Sequence, residues 1–343
     1  MASMDVFRQN AFSTIEMTRA VDKVPYLPAG LGALNIFGPP RPISTLAVAV
    51  EEREGALTLI PTLPRAAPLP ELSSELRKIR WFSVPRLAKE DTLYAHEIAG
   101  IREFDTESEL IQAQREVARR QMRLMQDLEY TMEFHRLGAI QGKLVDADGS
   151  TSLYNWFTEF GVSEPAEIDF DLDNASPASG ALIKQCNAVV RGMQRASSGA
   201  FVQGTRIYAA CGDAFWDDLI NHPHVIRTYE GWMAAESLRD GKAFGDFTFG
   251  GINWFNYRSS DDTSTISVGT DKARFFPVGA PGVFEMVNAP HDSFTWVNQP
   301  GRPFYVSPEI DPRADPQWWK QTINSYPLHI CKRPGVLYRG KRT

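Results

Sequence analysis

The sequence predicts an α+β chain. Three observations carry this: a helical run of some thirty residues without Gly or Pro, several period-two runs bounded by turn residues, and helical and strand patterns mixed through the second half. At 343 residues, 43% hydrophobic and 23% charged, the chain can bury a sizeable core, and two domains are the natural expectation.

Residues 1–43 show little periodicity, and VPYLPAGLGALNIFGPPRPI holds Pro25, Pro28, Pro39, Pro40 and Pro42, which deny both helix and central strand. Tyr26, Leu27, Leu31, Leu34, Ile36 and Phe37 make the stretch too apolar for a solvated tail. An extended arm packed on another part of the chain, or on another copy, fits. From Thr45 the pattern becomes TLAVAVEE, then Arg53-Glu54-Gly55 as a turn, then ALTLIP, a hairpin with Leu46, Val48 and Val50 on one face. The opposite face carries only Ala47 and Ala49, so the ribbon is thin and must project or be braced. KIRWFSVPRLAKEDTLYAHEIAG reads as a return strand and connector.

The long helix begins near Glu107, with Asp105 or Thr106 as cap, acidic Glu107 and Glu109 in its first turn, and Gly138 available as a stop. Its apolar stripe is Leu110, Val117, Leu124, Met125, Leu128 and Met132, so one face is buried and the other is Arg/Glu/Gln. Asp148-Gly149, between two alternating runs, marks a hairpin. Beyond it, Ser176 caps an expected helix from Pro177 to about Arg195. TRIYAAC, FTFGGINWFNYR, ARFFPVG and GVFEMVNAP are strand candidates, GDAFWDDLINHP and HVIRTYEGWMAAESLRDG helices, and SYPLHICKRPGVLY holds a last strand.

The net charge of −6 and pI near 5.6 do not support a generally basic nucleic-acid surface. Cys186, Cys211 and Cys331 are odd in number and widely spaced, which argues for buried thiols in a reducing compartment. The first residues carry no basic segment followed by an apolar one, and no apolar run approaches the ~20 residues of a membrane span. The expectation is a chain made and kept in cytoplasm.

Enzyme signatures give no support. DADG at Asp146–Gly149 imitates the start of a calcium loop but lacks the glycine at position six and the acid at twelve, so it reads as a turn. His222-Pro223-His224 has no companion ligands, and His96 and His135 are isolated. The lone Gly30-Leu31-Gly32 follows no strand, and no serine sits in a nucleophile elbow. Trp318-Trp319 and the group Trp254, Phe255, Tyr257 read as packing. Catalytic, cofactor and metal residues are therefore expected to be none.

Certain stretches stand in a telling order. Phe12, Thr18, Pro25, Leu31 and Phe37 precede Thr45; LTLIPTLPRAAP follows, with Ala66 in place of an expected glycine. Then come Gly142, Leu144, Asp146 and Gly149, then ARFFPVGAPGVFEMVNAPHDS and NSYPLHICKRPGVL. This order resembles the lambda-type major capsid protein E family of tailed bacteriophages, with its Hong Kong 97-like capsid fold. The resemblance implies an N-terminal arm (1–42), an extended loop (43–102), a peripheral domain with the long spine helix (103–172) and an axial domain (173–310). It makes 311–343 a C-terminal strand segment returning to the body.

The implied function is a major capsid protein whose hexamers and pentamers form an icosahedral shell around double-stranded DNA held without sequence-specific binding. Portal, scaffold and decoration proteins are implied partners, with no membrane; the site is the virion capsid, assembled in the host bacterial cytoplasm. A nanocompartment shell of encapsulin type and a cytosolic α+β enzyme are the alternatives. Candidate intersubunit residues are Glu51, Glu52, Arg53 and Glu54 at the ribbon's end, and Tyr26, Leu31 and Phe37 in the arm. The acidic group is either solvated or meets basic groups on another subunit.

Overall fold

The computed structural model describes residues 30–54, 76–100, 109–174, 176–230, 247–257 and 267–343. A short helix α1 (Gly30–Ala33) and strand β1 (Arg41–Pro42) lead into β2 (Ala47–Glu54), β3 (Leu76–Ser83) and β4 (Leu87–Tyr94). β2 and β3 pair antiparallel, from Ala47 opposite Ser83 to Glu54 opposite Leu76. This corrects the expected turn, because Arg53 and Glu54 sit in the ladder and the return strand is LRKIRWFS; residues 56–61 lie outside the described residues. The register sets Val48 opposite Phe82, and Val48, Val50 and Phe82 are buried on one face.

Next come α2 (Ala95–Gly100) and α3 (Glu109–Gln141), a helix of 33 residues and so about 50 Å long at 1.5 Å per residue. Val117, Leu124, Met125, Leu128 and Met132 are buried, as the stripe requires. Gly138 does not end the helix, which runs on to Gln141 and stops at Gly142 with φ +78°. Gly138 serves a close approach: a Cβ there would lie 2.8 Å from the Lys143 carbonyl oxygen of the returning chain.

That returning chain is the hairpin of β5 (Lys143–Val145) and β6 (Ser152–Asn155), followed by α4 (Trp156–Phe160). The Asn155 side chain accepts from the Phe157 N–H to cap α4. The Asp148 carboxylate accepts from the Ser150 and Thr151 N–H groups and from both hydroxyls, so it is committed to the turn. Phe82 packs edge-on against Tyr154 and Trp156, at 5.6 and 5.3 Å, bracing the base of the β2–β3 ribbon.

The second half supplies β7 (Ile168–Asp169), α5 (Ala181–Ala196), β8 (Arg206–Cys211), α6 (Asp213–Asn221), α7 (Pro223–Glu230), β9 (Phe247–Phe249), β10 (Ile252–Asn256) and β11 (Lys272–Val278). It continues with β12 (Phe284–Asn288), β13 (Tyr305–Ile310), β14 (Trp318–Ser325), β15 (Pro327–Cys331) and β16 (Tyr338–Lys341). Six strands form one mixed sheet in the order β7-β16-β11-β8-β10-β9. Two three-stranded sheets, β13-β14-β4 and β1-β12-β15, complete the body.

A first core joins α3, the ribbon base and β12–β15; a second lies between α5, α6 and the six-stranded sheet, around Phe170, Phe215, Trp254 and Phe275. The expected cap at Ser176 is corrected: its N–H is taken by the Asn174 side chain, and Gly180, at φ +73°, separates Pro177 from the helix that starts at Ala181. The single expected C-terminal strand is three, one in each of the larger sheets. No described helix is long and apolar enough to cross a membrane.

Candidate assembly surfaces

The β2–β3 ribbon joins no other sheet among the described strands. Ala47 and Ala49 stand opposite Ser83 and Trp81 on its outer face, and Ile79 lies two pairs further on the same face, opposite Glu51. Trp81 is 68% and Ile79 60% exposed. Two large apolar side chains on a flat alanine floor form a surface suited to a protein partner.

The expected acidic tip is altered by register. Glu52 stands opposite Lys78 and Arg53 opposite Arg77, so three acidic and three basic residues share this end of the ribbon. Glu51 is exposed. Of the arm residues, Tyr26 lies outside the described residues. Leu31 is fully buried, and the buried Phe37 ring lies 5.2 Å from Phe284 and 5.0 Å from His329. Within one copy both residues pack into the chain's own core.

The reason is Glu133 on α3. Its carboxylate accepts from the Leu31 N–H at 2.6 Å, the Gly32 N–H at 3.2 Å and the Tyr257 hydroxyl at 3.1 Å, while Arg136 donates at 3.1 Å. These bonds hold α1 against the spine helix and fix the point from which residues 1–29 depart. Burial pushes the Glu133 carboxyl above its ordinary range, against the pull of the Leu31 N–H and Arg136. The nearest signal in the sequence was a Glu-x-x-Arg pair inside the apolar stretch YTMEFHRLG.

Arg120 forms a second clamp, donating to Glu116, Glu97, Asp91 and the Thr92 carbonyl, and so ties β4 and α2 to α3. Near Glu133, His135 and His329 are buried with ring centres 6.4 Å apart and no hydrogen-bond partner among the described residues. Burial pulls His135 down to about 4 and His329 well below its ordinary value. All three cysteines are buried and free. The interior is thus built for packing, and the most exposed large apolar side chains among the described residues are Phe294 in the β12–β13 loop and Trp81 and Ile79 on the ribbon.

The family described as "Phage major capsid protein E" matches residues 13–342. The chain belongs to that family. It is 27% identical to the major capsid protein of Pseudomonas phage KPP10, across 97% of each chain. It is 25% identical to that of Salmonella phage Felix O1, across 96% of each. The solved putative capsid protein of a prophage of E. coli CFT073 shares the fold at a TM-score of 0.56 and 11% identity, covering 96% of this chain and 99% of that one.

The fold is thus the α+β Hong Kong 97-like capsid fold, and the chain is a major capsid protein of the tailed-phage type, a structural component of a viral shell. Sequence reasoning missed Glu133, Arg120, Trp81 and Phe294, since none lies in a motif.

Proposed function

We propose that copies of this chain form hexamers and pentamers of a closed icosahedral shell around packaged double-stranded DNA. The single observation that carries the reading is the β2–β3 ribbon, unpaired among the described strands, with Trp81 and Ile79 exposed, a surface better suited to a partner than to water. Residues 1–42 then act as arm and 43–102 as extended loop. Residues 103–172 serve as peripheral domain, 173–310 as axial domain, and 311–343 as the returning segment.

The described side chains act through contact, and the chain performs no catalysis. DNA is held by its backbone without sequence readout. A portal, a scaffold and a decoration protein are its partners in the host bacterial cytoplasm. The test is electron microscopy and light scattering of the expressed chain and of particles from infected cells, with the contents extracted after nuclease treatment. Closed particles with nuclease-protected DNA are expected. Particles filled with protein cargo would indicate a nanocompartment, and a stable monomer would refute the shell.

A further inference from the structure

The loop between β12 and β13 carries a small core of its own. Trp296, Tyr305 and Tyr326 are buried together, the Trp296 and Tyr305 rings lie 5.5 Å apart, and the Arg302 guanidinium sits 4.5 Å from the Trp296 ring centre. The Trp296 and Val297 N–H groups donate to the Ser293 carbonyl at 3.0 and 2.9 Å. Gly301 donates to the Ile43 carbonyl at 2.9 Å, and the Arg302 N–H to the Tyr305 hydroxyl at 2.7 Å. The turn is therefore pinned on both sides of its apex. At that apex Phe294 is 103% exposed, with Val297 beside it 55% exposed. An aromatic ring on a fixed turn loses little further freedom on docking, which is how preorganised anchors gain affinity.

The described residues also form an apolar groove of matching chemistry. A groove of about 350 Å³ lies between α1, α3 and β12, lined chiefly by Leu31, Phe37, Met125, Met132, Met286 and Phe304. That volume is at the lower end of the range for ligand pockets, enough for one aromatic side chain and its neighbours. Three methionines suit an aromatic guest, because their unbranched chains adapt in shape and their sulfurs make favourable contacts with rings. Phe294 does not line this groove, so a chain does not seat its own Phe294 there.

We propose that Phe294 of one copy inserts into the methionine-lined groove of a neighbouring copy. Knob and groove are different patches of one surface, so the contact is head-to-tail and repeats around a ring. The inference rests on the shell reading and names a contact within it.

The test uses the full chain in the assembly the wild type forms, whether rings or closed particles. Phe294→Ala is expected to raise the protein concentration needed for assembly at least tenfold, with Phe294→Leu intermediate, while circular dichroism and melting of the unassembled subunit stay unchanged. In a mixture of Phe294→Cys and Pro40→Cys copies, oxidation should yield a covalent dimer in assemblies only, since the exposed Pro40 lies on the groove.

Wild-type assembly by Phe294→Ala overturns the inference. So does impaired assembly without that dimer, which would seat the knob elsewhere. A cross-link within one chain, from Pro40→Cys to a cysteine placed at Leu27, would give the groove to residues 1–29 and also overturn it. If the wild type forms neither rings nor particles, the shell reading fails and this contact with it; if only the contact fails, wild-type particles remain.

Discussion

Lowering the pH should destabilise the subunit through the buried histidines, and the share of His135 can be isolated. His135 is buried on α3 facing His329, with Arg136 adjacent and Asp146 the acidic group acting on it. Burial pulls its pKa from 6.5 to about 4, so the folded state holds the neutral imidazole. In the unfolded chain the group titrates near its ordinary value. Between those two values the unfolded state binds the extra proton, so stability is present above pH ~6.5 and is lost as pH falls toward about 4. At pH 5 the unfolded state is favoured roughly thirtyfold by this one group, or about 2 kcal/mol.

The assay is urea unfolding of unassembled subunits, followed by tryptophan fluorescence at pH 8 and pH 5, for wild type and His135→Leu. Leucine removes two buried nitrogens without partners among the described residues, so the variant should fold at pH 8. Wild type should lose about 2 kcal/mol more than the variant between the two pH values. Equal losses would show that His135 is solvated or paired in the folded subunit, and the burial argument would fail.

Glu133→Gln should destabilise by about 1–3 kcal/mol, because it weakens the carboxylate that holds the Leu31 and Gly32 N–H groups and leaves buried Arg136 with Glu129 at 3.9 Å, and should expose residues 30–40 to protease in unassembled protein. Gly138→Ala should cost about 1–3 kcal/mol, since its methyl would meet the Lys143 backbone at 2.8 Å. Gly149→Ala meets nothing, and at φ +69° should cost only about 1 kcal/mol; equal denaturation midpoints for the two variants would count against this assignment. A thiol reagent should modify none of the three cysteines in the native subunit and all of them in urea, since burial raises Cys186 and Cys331 to about 12 and Cys211 well above its ordinary value. A fast native reaction would refute that burial.

What the sequence made legible was what short-range pattern controls. Val117 to Met132 showed the buried face of α3, Asp148-Gly149 its hairpin, and the alternation in RIYAAC and ARFFPV two neighbouring strands of the large sheet. Long-range demands stayed hidden. A glycine that ends a helix and one that admits a passing backbone look alike, so Gly138 was misread while Gly142 made the stop. β2 has a nearby candidate partner in ALTLIP, but Pro61 there cannot donate to a ladder, and LRKIRWFS could place Phe82 over Val48. Glu133 looked like one more surface charge because its partner N–H groups lie about a hundred residues away.

The length of α3 follows from the same long-range logic. Along its course the helix meets α1, β4 and β14 of one three-stranded sheet, β15 of the other, β11 of the large sheet and the β5 hairpin. Each small sheet offers it only a narrow contact, too little to hold a layer by itself. A narrow apolar stripe repeated over 33 residues joins them into one core, and the polar face is left to clamps such as Arg120. Cutting the helix short would therefore detach whole sheets before it melted the remaining turns. A long helix with a thin stripe thus serves as the common support for sheets that none of its other neighbours could hold together.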